Sequence, residues 1–424
     1  MVSHCGIVAP NRLKLMNITE LFFQNGAPDE KIAIAFLRDL KGGKSDQGSI
    51  SFGQLKREAL KAQKVLKNYG LTKGDSVLLW EKPSPEIYAF VLAILASGHQ
   101  VLLVEPWLSV EKIDHIIQEV RPKMLISGWA GKIWGGRSKE MRAIPYHISS
   151  AELKKAPNVS GKEIEILDVE EGHPGILTFT SGTSGQPKGV ARKHGYLRDQ
   201  TFVLKEHLQY DKFPKLDLTV FTNMVLCNLS LGKGSLVIPP RWTKRRLKEL
   251  GQLPQKYEVD TLACGPGFLK TLMEATHIDS LKSMHVGGAL TDCWIFEKAF
   301  ENWPKAQIHH IYGSSEAEPV AICDAREAVK KSRAKGYFQT LYLGSFVPEI
   351  TPSVEADALW VTGKHVSPLY LSDEKANQMN KRVDEIGRVW HNMGDRVVVD
   401  AEGAWYQGRS FQAPDDFRLE QQVY

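Results

Sequence analysis

Apolar positions in the first 170 residues repeat with two periods, one typical of helices and one typical of buried strands. Residues 51–71 place apolar side chains at helical spacing and lysines on the other face, which predicts an amphipathic helix. The short apolar run DSVLLWE (75–81) predicts a strand. The elements predicted next are a buried helix (87–98), a strand (100–106), a helix (109–122) and a strand (123–128). This alternation predicts a layered α/β fold with a parallel sheet.

A similar alternation returns between residues 218 and 322, so we expect two similar subdomains within an α/β core that spans residues 1–340. From about residue 340 the pattern changes to short alternating runs, interrupted by glycine and by the turn sequence Asp-Ala-Glu-Gly. We therefore expect a β-rich subdomain at residues 341–409, and we expect residues 410–424 to begin a hinge.

The composition is that of an ordinary globular protein, since 42% of the 424 residues are hydrophobic and 24% are charged. The formal net charge of +5 is compatible with an anionic ligand. It is lower than nucleic-acid-binding domains usually carry, so we expect no nucleic-acid partner. The five scattered cysteines predict neither a disulfide framework nor a zinc site. Since the apolar run 87–98 is too short to span a bilayer and the N-terminus lacks a signal-peptide pattern, we expect a cytoplasmic protein without a membrane span.

The segment LTFTSGTSGQPKGVARKHGYL (177–197) concentrates glycine, hydroxyl residues and a lysine. Backbone N–H groups and hydroxyls in such a loop can surround phosphate oxygens, and Lys188 adds a positive charge. The spacing differs from that of a Walker A loop, which needs Gly-Lys-Ser/Thr beginning five residues after its first glycine, because Pro187, Lys188 and Gly189 stand there after Gly182. The segment therefore predicts a phosphate site of another kind, with a flexible surface loop as the alternative.

The sequence TSGTSGQPKG (180–189) resembles the signature loop of the adenylate-forming superfamily, which includes acyl-CoA synthetases, luciferases and peptide-synthetase adenylation domains. Three further segments resemble motifs of that family in the same order: VGGAL (286–290), IYGSSEAEP (311–319) and MGDRVVVDAEGAWYQGR (393–409). The resemblance covers nearly the whole chain. It implies the large N-terminal part of an adenylate-forming enzyme, which converts a carboxylic acid and ATP to an acyl-adenylate and pyrophosphate with Mg²⁺ as cofactor.

The resemblance also implies roles for the residues of the loop. The candidate phosphate-binding residues are Thr180, Ser181, Gly182, Thr183, Ser184, Gly185 and Lys188. Glu316 and Thr180 would hold Mg²⁺, which binds well to one or two carboxylates together with phosphate oxygens. Lys188, Glu316 and Thr180 are therefore the candidate catalytic residues. An ordinary surface acid is the competing interpretation of Glu316.

The other motifs imply AMP binding. Tyr312 would lie against the adenine, Asp395 would accept hydrogen bonds from the ribose hydroxyls, and Arg409 would contact the nucleotide. The competing interpretations are a core aromatic for Tyr312, a turn cap for Asp395 and a structural salt bridge for Arg409. The remaining AMP-binding candidates are Gly287, Gly288, Ala289, Gly313, Ser314 and Ser315.

Residues 217–240 and 312–321 resemble olefin-biosynthesis β-lactone synthetases and fatty-acyl-AMP ligases. This resemblance implies that the acid is a fatty acid or a 3-hydroxy fatty acid. It leaves three acceptors open for the acyl group: the acid's own hydroxyl, coenzyme A and an acyl carrier protein. Phe221, Met224 and Val225 would line the acyl pocket, and plain core packing is the alternative for all three.

Full-length members of the superfamily carry a further lysine on a small, mobile C-terminal domain. The sequence ends at Tyr424, and Ser410, Phe411 and Gln412 follow the Gly-Arg pair where the family hinge usually has Asp or Lys. We therefore expect that lysine to lie outside this sequence. A second hypothesis follows, in which the chain is a module that binds a nucleotide or an acyl-adenylate without turnover of its own.

Overall fold

The computed structural model describes residues 17–37, 48–105, 107–128, 131, 135, 137–157, 163–181, 187–238, 242–371 and 373–410. The helices are α1 (Thr19–Gln24), α2 (Phe52–Lys67), α3 (Pro85–Ala96), α4 (Val110–Val120), α5 (Lys139–Ala143), α6 (Glu152–Lys155), α7 (His194–His207), α8 (Thr222–Ser230), α9 (Lys244–Leu247), α10 (Pro266–Ala275), α11 (Cys293–Asn302), α12 (Ala325–Ala334) and α13 (Glu374–Asn380). The strands up to residue 264 are β1 (Ile32–Phe36), β2 (Ser49–Ser51), β3 (Ser76–Trp80), β4 (Gln100–Leu103), β5 (Met124–Ser127), β6 (Tyr146–Ile148), β7 (Pro174–Ser181), β8 (Pro187–Lys193), β9 (Leu216–Thr219), β10 (Ser235–Val237) and β11 (Val259–Cys264). The later strands are β12 (Ser283–Gly287), β13 (Gln307–Ser314), β14 (Ala317–Asp324), β15 (Tyr342–Gly344), β16 (Thr351–Glu355), β17 (Ala358–Thr362), β18 (Tyr370–Leu371), β19 (Lys381–Val383), β20 (Val389–Asp400) and β21 (Gly403–Arg409).

The first sheet has seven strands in the order β18-β8-β7-β4-β3-β5-β6. Its central strands are parallel, as the helix–strand alternation predicts, whereas β8 and β18 are added antiparallel at one edge. The helix expected at residues 51–71 is α2, which begins after a capping box formed by Ser51 and Gln54. The helix expected at residues 87–98 is confirmed as α3, and its side chains from Ile87 to Ala96 are all buried.

The second sheet has eight strands in the order β14-β13-β12-β11-β9-β10-β1-β2. The inner strands run parallel, and the two edge strands β14 and β2 run antiparallel to their neighbours. Parallel strands β12 and β13 therefore end at the same edge of the sheet, with Gly287 opposite Ile311. Ligands of open α/β sheets bind at this carboxyl edge.

The third sheet is antiparallel, with the strand order β15-β21-β20-β17-β16 and β19 paired to β20. All the described strands after residue 341 belong to it except β18, which pairs with β8 of the first sheet. One helix, α13, lies between β18 and β19. The region expected to be β-rich is thus joined to the first sheet by a two-residue strand.

The first and second sheets share one apolar core. A single cluster of buried side chains connects them through α2, α3 and Val225 of α8. This arrangement of sheets and helices is the mixed α/β architecture that the sequence predicts. Within the described ranges, every helix is too short or too polar to cross a membrane.

Candidate active site

The predicted phosphate loop connects two antiparallel strands, β7 and β8. In their register Thr180 lies opposite Lys188 and Ser181 lies opposite Pro187, so the chain leaves and re-enters the sheet at neighbouring positions. The intervening candidates Gly182, Thr183, Ser184 and Gly185 lie outside the described residues. The Lys188 ammonium lies 5.5 Å from the centre of the Tyr370 ring on β18. The hairpin thereby directs this lysine toward the edge of the first sheet.

Glu316 lies in the two-residue turn between β13 and β14, where Ser314 pairs with Ala317. Gly313 makes this tight turn feasible, because a Cβ at that position would lie 2.8 Å from the carbonyl oxygen of Ala317. The Tyr370 hydroxyl donates a hydrogen bond of 2.8 Å to Glu316 Oε1. The backbone N–H of Ser367 donates another, of 2.6 Å, to the Glu316 carbonyl. The turn is therefore held at the edge of the first sheet, beside Lys188.

Tyr370, Lys381 and His391 surround this carboxylate, and the sequence motifs single out none of the three. The Lys381 ammonium lies 5.0 Å from the centre of the Tyr370 ring. His391 lies opposite Lys381 in the β19–β20 register, and its ring centre is 6.2 Å from the centre of the Tyr370 ring. Burial lowers the pKa of Lys381 to about 7, although Glu316 opposes the shift. Burial, with Lys381 nearby, lowers the pKa of His391 to about 3. The imidazole is therefore neutral at ordinary pH.

Burial raises the pKa of Glu316, but His391 in its protonated form (which occurs only in acid), the Tyr370 hydrogen bond and Lys381 together outweigh it, so the pKa lies below its ordinary value. Glu316 is therefore an ionised, partly buried carboxylate rather than an ordinary surface acid. Among the described residues, no group of three or more metal-ligating side chains forms a cluster. One carboxylate beside a phosphate loop fits Mg²⁺, which is commonly bound through one or two carboxylates and substrate phosphates.

Tyr312, Asp395 and Arg409 meet where the second sheet contacts the third. The Tyr312 hydroxyl donates a hydrogen bond of 2.6 Å to Asp395 Oδ2. Arg409, which faces Asp395 in the β20–β21 register, brings Nη1 to 3.1 Å from Asp395 Oδ1. The salt bridge considered for Arg409 is thus present, and its side chain stays 55% exposed. Asp395 lies within a strand and caps no turn.

Asp395 keeps hydrogen-bonding capacity that the described chain does not use. It is 5% exposed, and its Oδ1 has no hydrogen-bond partner among the described residues. Burial raises the pKa of Asp395, while Arg409 and the hydrogen bond from Tyr312 oppose the shift. An ionised carboxylate with a free lone pair is suited to accept a hydroxyl of a ribose.

The segment predicted to lie against the adenine follows the carboxyl end of β12. Gly287 is buried, and a Cβ there would lie 2.7 Å from the Ile311 carbonyl oxygen, so the strand tolerates no side chain. Gly288 has φ +83°, in the left-handed region that favours glycine. Gly288 and Ala289 are exposed, so a flat ligand can approach their backbone.

The three candidate acyl-pocket residues do not share one environment. Val225 is fully buried in the main core, Met224 is buried in a smaller cluster, and Phe221 packs against that cluster close to Gly288. A separate cavity lies along another face of α8, which presents Asn223, Leu226, Cys227 and Ser230. Their spacing of three and four residues places these four side chains on one side of the helix.

Parts of all three sheets thus converge on one site. The first sheet supplies Lys188 and Tyr370, the second supplies Tyr312 and Glu316, and the third supplies Asp395. Lys188 and Lys381 both lie beside the Tyr370 ring, and the buried carboxylate of Asp395 lies on the third sheet. The arrangement is suited to hold a nucleoside triphosphate next to a bound cation.

Comparison with known proteins identifies a family and individual relatives whose sequences are similar to this chain. The sequence model of the family described as "AMP-binding enzyme" matches residues 23–341. The malpinin synthetase of Mortierella alpina is 26% identical over 280 residues, which cover 63% of this chain and 4% of that protein. The olefin β-lactone synthetase of Stenotrophomonas maltophilia is 22% identical over 394 residues, which cover 83% of this chain and 71% of that protein. The chain thus spans only a small part of the first relative and most of the second.

The fold is also found among solved structures. The o-succinylbenzoate coenzyme A synthetase of Bacillus subtilis, in complex with ATP and magnesium ion, superposes with a TM-score of 0.75 at 19% identity. The match covers 92% of this chain and 79% of that chain. Similarity at this level of identity establishes the shared fold.

Proposed function

Because the chain belongs to the AMP-binding enzyme family of adenylate-forming ligases, we propose that it activates a carboxylic acid with ATP, forming an acyl-adenylate and releasing pyrophosphate. The observation that carries the proposal is the convergence of Lys188, Glu316 and the Tyr312–Asp395 pair from three sheets. A protein that binds only AMP needs the ribose acceptor, but it has no need of a lysine and an ionised carboxylate at the position of the leaving phosphates.

In this proposal each group of the site performs one task. Residues 180–188 bind the β- and γ-phosphates of ATP, and Lys188 neutralises charge that develops on pyrophosphate as it leaves. Glu316, oriented by Tyr370, holds Mg²⁺ together with Thr180. The bound cation would neutralise phosphate charge. Asp395 and Tyr312 fix the nucleoside, so that the α-phosphorus faces the carboxylate of the acid.

The acid that we propose is aliphatic. The resemblance to β-lactone synthetases favours fatty acids and 3-hydroxy fatty acids. The acyl group would then pass to the acid's own hydroxyl, to coenzyme A or to a carrier protein. Similarity both to a β-lactone synthetase and to a coenzyme A synthetase leaves these acceptors as alternatives for experiment.

Pyrophosphate release tests the proposal directly. The chain is incubated with Mg²⁺, ATP and a panel of short, long and 3-hydroxy acids, with and without coenzyme A. Lys188→Ala and Glu316→Ala should each reduce the rate about a hundredfold or more, because each removes charge stabilisation at the leaving phosphates. Lys193→Ala is the matched control, since Lys193 lies on the same strand with its side chain on the opposite face.

A lactone or thioester among the products would identify the acceptor. If ATP binds but no acid on the panel releases pyrophosphate, the adenylation proposal is wrong for this chain. The chain would then be a nucleotide-binding module without turnover of its own.

A further inference from the structure

A buried arginine near the proposed active site has unused hydrogen-bonding capacity. Arg192 follows Lys188 by four residues on β8, so the two side chains stand on the same face of that strand. Arg192 is 8% exposed, and its Nε has no hydrogen-bond partner among the described residues. Its Nη2 donates a long hydrogen bond of 3.4 Å to the Ser315 carbonyl. A buried guanidinium without a full set of acceptors is costly, so it points to a ligand.

Arg192 lines the cavity beside α8. The cavity's polar side is formed with Gln200, Thr201 and Asn223, and its apolar side includes Phe22 and Leu92. The free space is about 40 Å³. This is room for about two or three water molecules, or for one group of carboxylate size, and it is too little for a long alkyl chain.

Two neighbours of Arg192 bear on the charge that the cavity accepts. The buried Tyr196 hydroxyl lies close to the Arg192 guanidinium and interacts with it. Glu318 has its Oε2 3.5 Å from Asn223 Nδ2. Glu318 is not among the residues that line the cavity. Of the described residues that line the cavity, Arg192 is the only charged one, so the cavity offers hydrogen-bond donors and one positive charge.

We propose that this cavity recognises a second carboxylate on the substrate, with Arg192 as the residue that determines this specificity. A guanidinium binds a carboxylate through two parallel hydrogen bonds, and exclusion of water strengthens the contact. The inference rests on the proposed adenylation and assigns it a short aliphatic dicarboxylic acid in place of a long-chain fatty acid, because the cavity is too small for a long chain. The acid is also short because Arg192 lies close to the proposed active site, where it contacts Ser315, the residue directly before Glu316.

Matched pairs of acids test the inference. Hexanedioate is compared with hexanoate, and butanedioate with butanoate, in two assays on the full chain: calorimetric binding and pyrophosphate release. Arg192→Met removes the charge and keeps much of the side-chain volume. Arg192→Lys keeps the charge but cannot donate two parallel hydrogen bonds to one carboxylate. Lys205→Met is the control, because Lys205 lies on the neighbouring helix α7 with an exposed side chain that pairs with Asp211.

We expect the wild-type chain to bind and use the dicarboxylic acid of each pair in preference to the monocarboxylic acid. Arg192→Met should weaken binding of the dicarboxylic acid about 10- to 100-fold and leave the monocarboxylic acid unchanged or improved. The affinity of Arg192→Lys for the dicarboxylic acid should fall between those of the wild-type chain and Arg192→Met. The control should match wild type, and thermal unfolding verifies that each variant is folded.

The outcomes separate this inference from the function on which it rests. Equal use of both acids by the wild-type chain overturns the inference and leaves adenylation intact, whatever the variants do. A variant that slows both acids equally also overturns it, since Arg192 would then only support the Ser315 turn. If no acid releases pyrophosphate but the dicarboxylic acid binds in an Arg192-dependent manner, the inference stands and the proposed function fails.

Discussion

Replacing Asp395 with asparagine should weaken nucleotide binding and, at the same time, stabilise the free protein. The substitution keeps the shape of the side chain and removes its charge. In the wild-type chain, Oδ2 accepts a hydrogen bond of 2.6 Å from Tyr312, while Oδ1 is buried, lies 3.1 Å from Arg409 Nη1 and accepts no hydrogen bond from the described residues. Asparagine has one acceptor oxygen in place of two, so it cannot bond both Tyr312 and a ribose hydroxyl as the carboxylate does.

The size of the binding effect follows from the hydrogen bonds lost. A hydrogen bond to a charged group contributes about 1.5–3 kcal/mol, so losing one or two charge-assisted bonds to the ribose should weaken binding roughly a hundredfold. At an AMP concentration of about 100 times the wild-type dissociation constant, the ligand stabilises the wild-type protein by about 2.7 kcal/mol. The same concentration would stabilise the variant by about 0.4 kcal/mol.

The effect on the free protein has the opposite sign. The pKa of Asp395 is raised in the folded protein, so the folded state disfavours the ionised form relative to the unfolded chain. That cost is fully present at neutral pH and disappears as the pH falls through the folded-state pKa. The uncharged asparagine avoids it, so the unfolding temperature without ligand should rise at neutral pH, and the difference from wild type should shrink in acid.

Thermal unfolding with and without AMP measures both effects in one assay. Glu402→Gln is the control, since Glu402 is an exposed acid on the turn between β20 and β21 of the same sheet. If Asp395→Asn keeps the wild-type shift on AMP binding, Asp395 does not hold the ribose. If the free variant unfolds at a lower temperature than wild type, the carboxylate contributes more through Tyr312 and Arg409 than its burial costs.

Three further substitutions test the surroundings of the site. Tyr370→Phe removes the hydrogen bond to Glu316, the candidate metal-binding carboxylate. About tenfold more Mg²⁺ should then be needed for half-maximal pyrophosphate release, and excess Mg²⁺ should restore the rate. Lys381→Met removes a partly buried amine near the predicted phosphate site and should raise the KM for ATP about tenfold. Met at the neighbouring Arg382, whose side chain is partly exposed and pairs with Glu355, should not, and equal effects would contradict a local role for Lys381. Gly313→Ala places a Cβ 2.8 Å from the Ala317 carbonyl and should cost about 1–3 kcal/mol, measured as a lower urea midpoint; an unchanged midpoint would mean that the turn can relax.

Local patterns in the sequence predict the elements of this fold well because the early segments are strongly periodic. The amphipathic run 51–71 forms α2, and the apolar run 75–81 forms β3. Such patterns state which residues face a core, but they do not state which strands become neighbours. The pairing of β18 with β8 is one that these patterns cannot predict, because a strand of two residues is too short to show a periodicity.

The motif residues were accessible from the sequence because each family motif is a continuous segment. Tyr370, Lys381 and His391 were not, because they reach Glu316 through tertiary structure alone, and Tyr370 lies 54 residues away in the chain. Arg192 could have been noticed because it follows the short apolar pair Val190 and Ala191 within the strand PKGVARK. The functional interpretation of Arg192 depends on its burial, because an exposed arginine at the same position would have its hydrogen bonds satisfied by water.

The distribution of charge, more than its total, makes this site suited to an anion. A net charge of +5 spread over 424 residues favours no particular location. The fold gathers Lys188 and Lys381 around one tyrosine and sets Arg409 against Asp395 at the other end. Ionised Glu316 among these cations would repel a phosphate if it acted alone, so its presence is best explained by a cation that bridges it to the phosphates. The same reasoning applies to Arg192, where a buried positive charge with unused donors calls for an anion that the substrate would have to bring.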